Sequence, residues 1–432
     1  MRVTFYTLGC KVNQNETGAL AQLFEENGYT VVANEESADV YIVNSCTVTN
    51  FGDQKSRKWL RRAKRENPGA VTVLTGCYPQ AFPEEAAEIA EADVVTGSGN
   101  RRAILADVQK VLDGEAERVV DIRPHEKGER FEELPMDKFT EHTRAFVKVE
   151  DGCNRRCAYC VIPRARGPVR SRDEASILDE LHRLADAGYK EVVLTAISLP
   201  SYGTDSGTSL AELIEKAAAV PGIERIRLGS LDPDMLHDED IHRMAAVKKL
   251  CPQFHLSLQS GCDKTLRAMR RPYTTAQYAE IADKLREAFG AENVSFTTDV
   301  IVGFPGETEE DFEASMAFVT GMHFLKVHVF PYSRREGTAA YDFPDQMPEH
   351  EKEARSRRMT AAVEEVRAAE VCAVQGRTAS VLLETPLSAT MFTGYTRQYL
   401  PVLVNAPGCK TGDIVEVILG EWDGKRCRAA IV

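Results

Sequence analysis

The chain has 432 residues, 43% of them hydrophobic and 28% charged, which is typical of a globular protein with two or three domains. Its formal net charge of −13 at pH 7 excludes a surface coated uniformly in positive charge, although local basic patches could still contact phosphates. No run approaches the ~18 apolar residues of a membrane span, and the N-terminus lacks the apolar region of a signal peptide. We therefore expect a cytoplasmic protein with no membrane partner, whose 11 cysteines favour metal or redox chemistry over disulfides.

Residues 1–120 are predicted to form a parallel α/β domain. A helical pattern over 16–29 ends at an Asn-Gly stop, and it lies between short apolar runs. These runs predict strands at 3–8, 39–44, 71–75 and 93–97. Alternating strands and helices indicate a parallel sheet with crossover helices. The polar, aperiodic residues 121–143 predict a linker.

A second series of strands predicts a domain over 144–348. Six apolar runs lie at 144–150, 191–197, 225–230, 254–259, 294–302 and 325–330. Helical patterns at 175–188 and 275–290 separate some of these runs. Six β/α units predict an open, partial (β/α)6 barrel. A charged helical connector follows over 349–375, and the short strands and Gly, Pro and Asn turns of 376–432 predict a small β-barrel or sandwich.

Three cysteines of the second domain share one loop, and we call Cys153, Cys157 and Cys160 the loop triad. Their spacing, Cys-x3-Cys-x2-Cys, allows three thiolates to bind three irons of a [4Fe–4S] cluster while the fourth iron stays open. A zinc site is the alternative. Structural zinc takes four ligands, however, and no fourth cysteine or histidine follows nearby. The loop follows the first strand of the series, at the catalytic edge of such barrels.

Three cysteines of the first domain each follow a strand directly, and we call Cys10, Cys46 and Cys77 the N-terminal triad. Parallel strands end at the same edge of a sheet, which is where open α/β sheets bind ligands. The pattern therefore predicts a second cluster, with three buried thiols as the alternative. The other cysteines, at 251, 262, 372, 409 and 427, show no ligand spacing and are expected to be packing or surface thiols.

The loop triad, with the aromatic Tyr159 before its last cysteine, resembles the signature of the radical S-adenosylmethionine (SAM) superfamily. The segments TLGCKVNQNE (7–16) and TGCYPQ (75–80) resemble the N-terminal domain of the methylthiotransferases. The tail, with GYTRQYLPVLV (394–404), resembles their RNA-binding TRAM domain. TLGCKVNQ and LQSGCD (258–263) are most similar to the branch that acts on N6-threonylcarbamoyladenosine at tRNA position 37, beside the anticodon. Sibling branches act on isopentenyladenosine or on a ribosomal-protein aspartate.

This resemblance implies a reaction with two [4Fe–4S] clusters and two molecules of SAM. One SAM binds the open iron at the loop triad, the catalytic cysteines, and is cleaved to methionine and a 5′-deoxyadenosyl radical. The radical removes the C2 hydrogen of the base, and the carbon radical takes a sulfur that another SAM has methylated at the N-terminal triad. A reductant such as flavodoxin or ferredoxin and a sulfur donor are implied partners. The implied SAM contacts are Tyr159, Ser257, Gln259, Asp299 and Gly303.

One segment departs from the family pattern. LTAISLPSYG (194–203) carries Ala196 and Pro200 where members commonly have Gly-Ile-Asn or Gly-Ile-His and then another glycine. The added bulk and rigidity are expected to affect SAM or substrate packing rather than the chemistry.

Basic residues are the candidate contacts to the tRNA anticodon loop. Residues 55–65 carry seven basic side chains in eleven positions, which favours phosphate contacts, with an ordinary solvated helix as the alternative. The predicted RNA contacts are Lys55, Lys58, Arg61, Arg62, Arg334, Arg335 and Arg397, with Tyr395 and Tyr399 beside the last. The run Arg164, Arg166, Arg170 and Arg172, together with Arg334 and Arg335, supplies candidates for binding the threonyl carboxylate.

Two other functions stay open at this point. A non-catalytic iron–sulfur RNA-binding protein would bind tRNA without turning over SAM. A radical enzyme of the same fold could methylthiolate a protein side chain, which a more acidic tail would favour; this tail is nearly balanced in charge.

Overall fold

The computed structural model of the protein describes residues 1–134, 136 and 143–432. Part of the predicted linker, residues 135 and 137–142, lies outside the described residues. Its earlier part, from residue 122, contains no helix or strand up to residue 134. None of the helices in the described ranges is long and apolar enough to cross a bilayer.

The first domain contains a parallel sheet, as predicted, with six strands where the sequence indicated four. Its strands are β1 (Arg2–Thr7), β2 (Thr30–Val31), β3 (Val40–Ser45), β4 (Val71–Gly76), β5 (Val94–Thr96) and β6 (Val119–Asp121). Its helices are α1 (Lys11–Glu26), α2 (Asn50–Glu66), α3 (Cys77–Ala81), α4 (Pro83–Ala87) and α5 (Ala103–Leu112). The spatial order is β2-β1-β3-β4-β5-β6. Every residue of β3 and β4 is buried, so these apolar strands form the centre of the sheet.

The second domain is an open barrel of parallel strands, which confirms the predicted fold class. Its strands are β7 (Ala145–Lys148), β8 (Glu150–Asp151), β9 (Arg170–Ser171), β10 (Glu191–Thr195), β11 (Arg225–Leu228), β12 (Ser230–Leu231), β13 (Gln253–Leu256), β14 (Ser295–Val302) and β15 (Lys326–Pro331). Its helices are α6 (Ile162–Arg166), α7 (Glu174–Asp186), α8 (Leu210–Ala219), α9 (Asp238–Ala246), α10 (Asp263–Ala268), α11 (Thr275–Phe289) and α12 (Glu309–Gly321). Two parallel sheets, β11-β10-β7 and β12-β13-β14-β15, form its wall, while β8 and β9 pair as a short antiparallel ribbon.

The wall of this barrel is not continuous. Within the described residues no ladder joins β7 to β15. Helix α1 of the first domain packs against β7, where Asn15 Nδ2 donates to the Phe146 carbonyl at 2.6 Å. Ala19 of the same helix lies in the apolar core of the second domain. The first domain therefore covers part of the opening in the second.

The connector and the tail also form the predicted structures. Helix α13 (Glu349–Ala373) packs along β15, and its Lys352 Nζ donates to the Tyr332 carbonyl at 3.0 Å. The tail is a closed five-stranded barrel in the order β16-β17-β18-β20-β19. Its strands are β16 (Thr378–Pro386), β17 (Met391–Thr396), β18 (Pro401–Asn405), β19 (Ile414–Trp422) and β20 (Cys427–Ile431). Alternate residues such as Val402 and Val404 fill its core.

The tail barrel covers the amino ends of the second-domain strands. Arg225 and Arg227 of β11 donate to Ser380 Oγ at 2.8 Å and to the Arg397 carbonyl at 3.0 Å, respectively. Glu191, the first residue of β10, accepts from Arg227 Nε at 2.7 Å. The tail thus closes the end of the barrel opposite to the loop triad.

Candidate active site

The loop triad lies in the irregular segment between β8 and α6, and all three thiols are half-buried. The Cys160 amide donates to the Cys157 carbonyl at 3.1 Å, and the Cys153 amide to the Gly167 carbonyl at 3.0 Å, so the loop folds back on itself. Gly152 has a φ of +96°, and a Cβ there would lie 1.9 Å from the Pro168 carbonyl oxygen. Only glycine can bring the chain this close as it enters the loop.

Charges and burial set the chemistry of these thiols. Burial, with smaller contributions from neighbouring triad thiols, raises the pKa of Cys153 to about 11 and that of Cys160 to about 12. Arg271 Nη1 donates to Cys157 Sγ at 3.3 Å. The protein alone therefore keeps Cys153 and Cys160 protonated at neutral pH, and a bound cation must stabilise their thiolates.

The N-terminal triad occupies the carboxyl ends of three neighbouring strands. Cys10 follows β1 and caps α1, Cys46 follows β3, and Cys77 follows β4 as the first residue of α3. At Gly9, with a φ of +103°, a Cβ would lie 3.0 Å from Cys46 Sγ. Burial raises the pKa of Cys46 to about 12 and also raises that of Cys77.

The donor chemistry of each triad fits the implied cluster. Each triad offers three thiols, and three thiolates can bind three irons of a [4Fe–4S] cluster while the fourth iron stays open. Structural zinc takes four ligands. Among the described residues no three Cys, His, Asp or Glu side chains converge on the position of a single metal ion.

Loops of both domains line one cavity of about 210 Å3, which we call the central cavity. Val48 and Thr49 line it two and three residues after Cys46. The opposite side is formed by Tyr159 and Cys160. The remaining lining residues are Val161, Ile162, Gln259, Asp299, Ile301, Phe330, Pro331, Tyr332 and Ser333. A small ligand here would contact the segments that carry both triads.

The predicted SAM contacts divide into two groups. Tyr159, Gln259 and Asp299 line the central cavity, and Gln259 has an unusual φ of +71°, a strained backbone typical of functional positions. Ser257 lies nearby, with its carbonyl accepting from the Tyr273 hydroxyl at 2.5 Å. Gly303 lies elsewhere in the fold, where a Cβ would lie 2.3 Å from Lys352 Cγ. This glycine allows α13 to pack closely, and it does not line the central cavity.

The segment that departs from the family pattern lies beside the loop triad but turns away from the central cavity. The Ser198 amide donates to Glu150 Oε2 at 2.9 Å. Pro200 lines a separate cavity of about 240 Å3 that includes Met235. Ala196 is half-buried against the core of the second domain. The added bulk therefore does not crowd the central cavity.

Sequence reasoning missed the buried Glu150 beside the loop triad, and it named Arg166 as a carboxylate-binding candidate without placing it beside Cys77. Burial raises the pKa of Glu150 well above its usual range, and its Oε1 has no hydrogen-bond partner in the described part of the chain. Arg166 Nε donates to Cys77 Sγ at 3.1 Å. The available signal was proximity in sequence: Glu150 lies three residues before Cys153, and Arg166 lies six residues after Cys160. A charged residue beside a cluster loop is a candidate to contact a ligand.

The basic helix α2 begins at the rim of the central cavity. Lys55, Lys58, Arg61 and Arg62 are all exposed along it. Arg61 pairs with Glu91 at 3.0 Å and Arg62 with Glu66 at 3.0 Å. Near its start, Phe51 is 62% exposed, and Lys55 Nζ lies 4.4 Å from the centre of that ring. Exposed cations beside an exposed aromatic ring suit single-stranded nucleic acid.

Two of the predicted RNA contacts form contacts inside the protein. Arg335 is 3% exposed and pairs with Asp53 at 2.6 Å, so it holds α2 against the second domain. Arg397 donates to the Lys248 and Leu250 carbonyls at 2.5 and 2.8 Å, so it fastens the tail to the second domain. Both guanidinium groups are used within the protein.

Most of the other tail and loop candidates are also committed to internal contacts. Tyr395 and Tyr399 stack with ring centres 4.4 Å apart, and Arg144 covers both rings. Three of the four arginines in the 164–172 run are buried in ion pairs: Arg166 with Glu16, Arg170 with Asp151 and Arg172 with Glu180. Arg164 and Arg334 remain exposed.

Two family models match the chain. The radical SAM superfamily model covers residues 147–319, and the model of the uncharacterized protein family UPF0004 covers residues 2–97. The chain is 39% identical to the threonylcarbamoyladenosine tRNA methylthiotransferase MtaB of Bacillus subtilis, over 96% of this chain and 93% of the relative. The enzyme of the same name from Aquifex aeolicus is 41% identical over 83% and 86%. The tRNA-2-methylthio-N(6)-dimethylallyladenosine synthase of Clostridium novyi is 36% identical over 95% and 92%.

Solved structures share the fold at low sequence identity. The radical SAM methyltransferase TsrM of Kitasatospora setae, solved with cobalamin and a [4Fe–4S] cluster, matches with a TM-score of 0.57 at 16% identity, over 78% of this chain and 73% of that one. The cobalamin-dependent radical SAM enzyme OxsB matches with a TM-score of 0.52 at 13% identity, over 84% and 57%. These likenesses describe the fold alone.

Proposed function

The chain belongs to the radical SAM tRNA methylthiotransferases, and from this premise we propose that it acts on N6-threonylcarbamoyladenosine at position 37 of tRNA. The reaction replaces the C2 hydrogen of the base with a methylthio group, giving 2-methylthio-N6-threonylcarbamoyladenosine. The relatives named for threonylcarbamoyladenosine support this branch, with identities of 39% and 41%. A dimethylallyladenosine synthase is nearly as similar, at 36% identity, so the choice of substrate is the point to test.

The central cavity is the observation that carries this function. An aromatic C–H is not acidic and has no leaving group, so its replacement requires the one-electron chemistry that a [4Fe–4S] cluster with SAM supplies when bound. The loop triad would hold that cluster, and the N-terminal triad would hold the second. Tyr159, Gln259 and Asp299 would position SAM, and the walls of the cavity would exclude water. Val48 and Thr49 would bring the base close to the N-terminal triad.

The tRNA would approach along α2. Asn50, the first residue of this helix, donates through its side chain to the Arg334 carbonyl at 3.1 Å, so the helix starts at the cavity rim. Phosphates of the anticodon loop would follow Lys55 and Lys58, and an unstacked base could lie on Phe51. Extrusion of the target base is least costly in an unpaired loop, which suits position 37.

The threonyl carboxylate needs a cation. With most of the 164–172 run and Arg335 buried in ion pairs, Arg164 and Arg334 remain at the surface. Lys11 is an interior candidate that directly follows Cys10, and its side chain makes no hydrogen bond or ion pair within the described residues. Burial, with smaller contributions from Arg144 and Arg227, lowers the pKa of Lys11 to about 8. A carboxylate would relieve this excess of positive charge.

The remaining assignments follow from the tRNA substrate. A low-potential reductant of the flavodoxin or ferredoxin class and a sulfur donor would serve the two clusters. A tRNA substrate suits a cytoplasmic enzyme. We also propose three domains, at 1–120, 144–348 and 376–432, with a linker and the 349–375 connector between them. The first sheet, the open barrel and the closed tail barrel each begin and end close to these positions.

Direct competition between two tRNAs tests this function. One carries threonylcarbamoyl and the other isopentenyl at the same adenosine, and both are supplied with reductant, sulfide and SAM. Donors that bind the carboxylate and hydroxyl would be left unpaired by isopentenyl, at about 1–3 kcal/mol each. Two such losses, about 2–6 kcal/mol together, predict a preference of roughly thirtyfold or more for the threonylcarbamoyl substrate.

Three outcomes separate the alternatives. Equal turnover, or a preference for isopentenyl, would refute the substrate assignment and leave the family intact. Binding of tRNA without SAM cleavage would favour a non-catalytic protein. Lys11→Met should reduce the preference, whereas the matched variant Lys248→Met, at an exposed site outside the cavity, should not.

A further inference from the structure

Arg166 lies between the two triads and contacts both domains. It is fully buried and is the last residue of α6, the helix that follows the loop triad. Its Nε donates to Cys77 Sγ at 3.1 Å, and its Nη2 donates to Asn13 Oδ1 at 2.6 Å. Nη1 pairs with Glu16 at 2.5 Å. All three nitrogens of one planar guanidinium therefore have a partner in the first domain.

The surrounding charges fix this orientation. Glu16 also forms an ion pair with Arg101 at 2.9 Å and accepts a hydrogen bond from Lys148 Nζ at 2.7 Å. Although burial raises the pKa of Glu16, Arg101, Arg166 and Lys148 together lower it to about 2. The carboxylate is ionised at neutral pH and holds the guanidinium in place. Because the fork of arginine is planar and rigid, fixing Nη1 and Nη2 also fixes the direction of the Nε–H toward sulfur.

Hydrogen bonds to cysteine sulfur change the electronic properties of an iron–sulfur cluster. The reduced cluster carries one more negative charge than the oxidised one, so an N–H donated to a ligand sulfur stabilises the reduced form more. A cationic donor in a dry interior has a larger effect than a neutral one.

We propose that Arg166 is a positioning residue that donates its Nε–H to the Cys77 thiolate and raises the reduction potential of the cluster at the N-terminal triad. This inference rests on the proposed function, which assigns a [4Fe–4S] cluster to that triad. Arg166 acts through Cys77, and the guanidinium itself is not required to touch tRNA or SAM.

Two substitutions separate this role from an ordinary buried ion pair. Arg166→Lys keeps the positive charge, but it lacks the planar guanidinium group whose three nitrogens contact Glu16, Asn13 and Cys77 together. Glu16→Gln disturbs the same buried network without removing the donor to Cys77, and it removes a negative charge. The two variants should therefore move the reduction potential in opposite directions.

The experiment uses the full chain with the loop triad replaced by alanine, so that only the cluster of the N-terminal triad contributes a signal. The protein is reconstituted anaerobically and titrated with dithionite and mediators, and the reduced cluster is measured by electron paramagnetic resonance. At the midpoint potential of this parent, Arg166→Lys should lower the ratio of reduced to oxidised cluster about tenfold, a shift of ~59 mV for a one-electron couple. Arg166→Gln should lower it at least as much, and Glu16→Gln should raise it.

Each outcome decides the question. An unchanged midpoint in an Arg166→Lys chain that holds about four irons would overturn the role of Arg166. Loss of iron from a folded Arg166→Lys chain, with iron retained by Glu16→Gln, would support it, whereas loss from both would assign the effect to the ion-pair network and overturn it. A parent chain that binds no iron would instead defeat the proposed second cluster.

Discussion

Reversing the charge of Lys55 and Lys58 tests the RNA-binding surface most directly. Both side chains are exposed on α2, and neither forms an ion pair with an acid in the described part of the protein. By contrast, Arg61 and Arg62 already have acidic partners at 3.0 Å. The two lysines can therefore bind phosphate without first breaking an ion pair. The variant Lys55→Glu/Lys58→Glu removes both.

The expected magnitude follows from counterion release. Each phosphate contact contributes about 0.7 to the slope of log affinity against log salt on a single strand and about 0.9 on a duplex. Losing two contacts should make the slope shallower by about 1.4–1.8. Between about 50 and 200 mM salt, the wild type should therefore lose roughly 7–12-fold more affinity than the variant.

Fluorescence anisotropy with labelled tRNA at several salt concentrations measures both the affinity and the slope. The matched control reverses Lys284 and Arg357 on α11 and α13, which changes the net charge of the protein equally. Iron content should be the same in all three proteins. A Lys55→Glu/Lys58→Glu slope equal to that of the wild type would show that α2 is an ordinary solvated helix.

Two further predictions concern the clusters and pH. Anaerobically reconstituted protein should hold about eight irons per chain, and replacing either triad with alanine should leave about four; a wild type that saturates at four would refute the second cluster. Because the pKa of Glu16 is lowered to about 2 from an ordinary value of 4.5, its ionised form stabilises the fold above pH ~4.5, and this contribution is lost as the pH falls toward 2. The urea unfolding free energy of the metal-free wild type should therefore fall more steeply below pH ~4.5 than that of Glu16→Gln, and parallel curves would contradict this assignment.

Features that depend on local periodicity could be predicted from the sequence. The central strands β3 and β4 are continuous apolar runs because both of their faces are buried, and this is visible without a structure. The positions of the N-terminal triad at neighbouring strand ends followed from parallel topology alone.

Contacts between distant segments could not be predicted. From the sequence alone, Arg397 is expected to be an exposed basic residue. In the structure it binds two backbone carbonyls that lie 147 and 149 residues earlier in the chain. Arg335 donates to Thr47, three residues before α2, across 288 residues of sequence. Gly303 resembles a ligand-binding glycine, yet its neighbour is Lys352 of α13. In each case the deciding partner comes from another domain or from the connector helix, which a local pattern cannot reveal.

The contact between α1 and β7 has a consequence for how this chain can be divided. An unpaired strand edge offers free amides and carbonyls to any other strand, and proteins normally protect such edges. Here Asn15 and Ala19 of the first domain cover β7 of the second. A fragment that begins after the first domain would expose that edge together with apolar surface, and it should aggregate rather than fold as an isolated barrel. The second-domain barrel therefore depends on α1 of the first domain to cover β7, so we expect the two domains to fold as one unit.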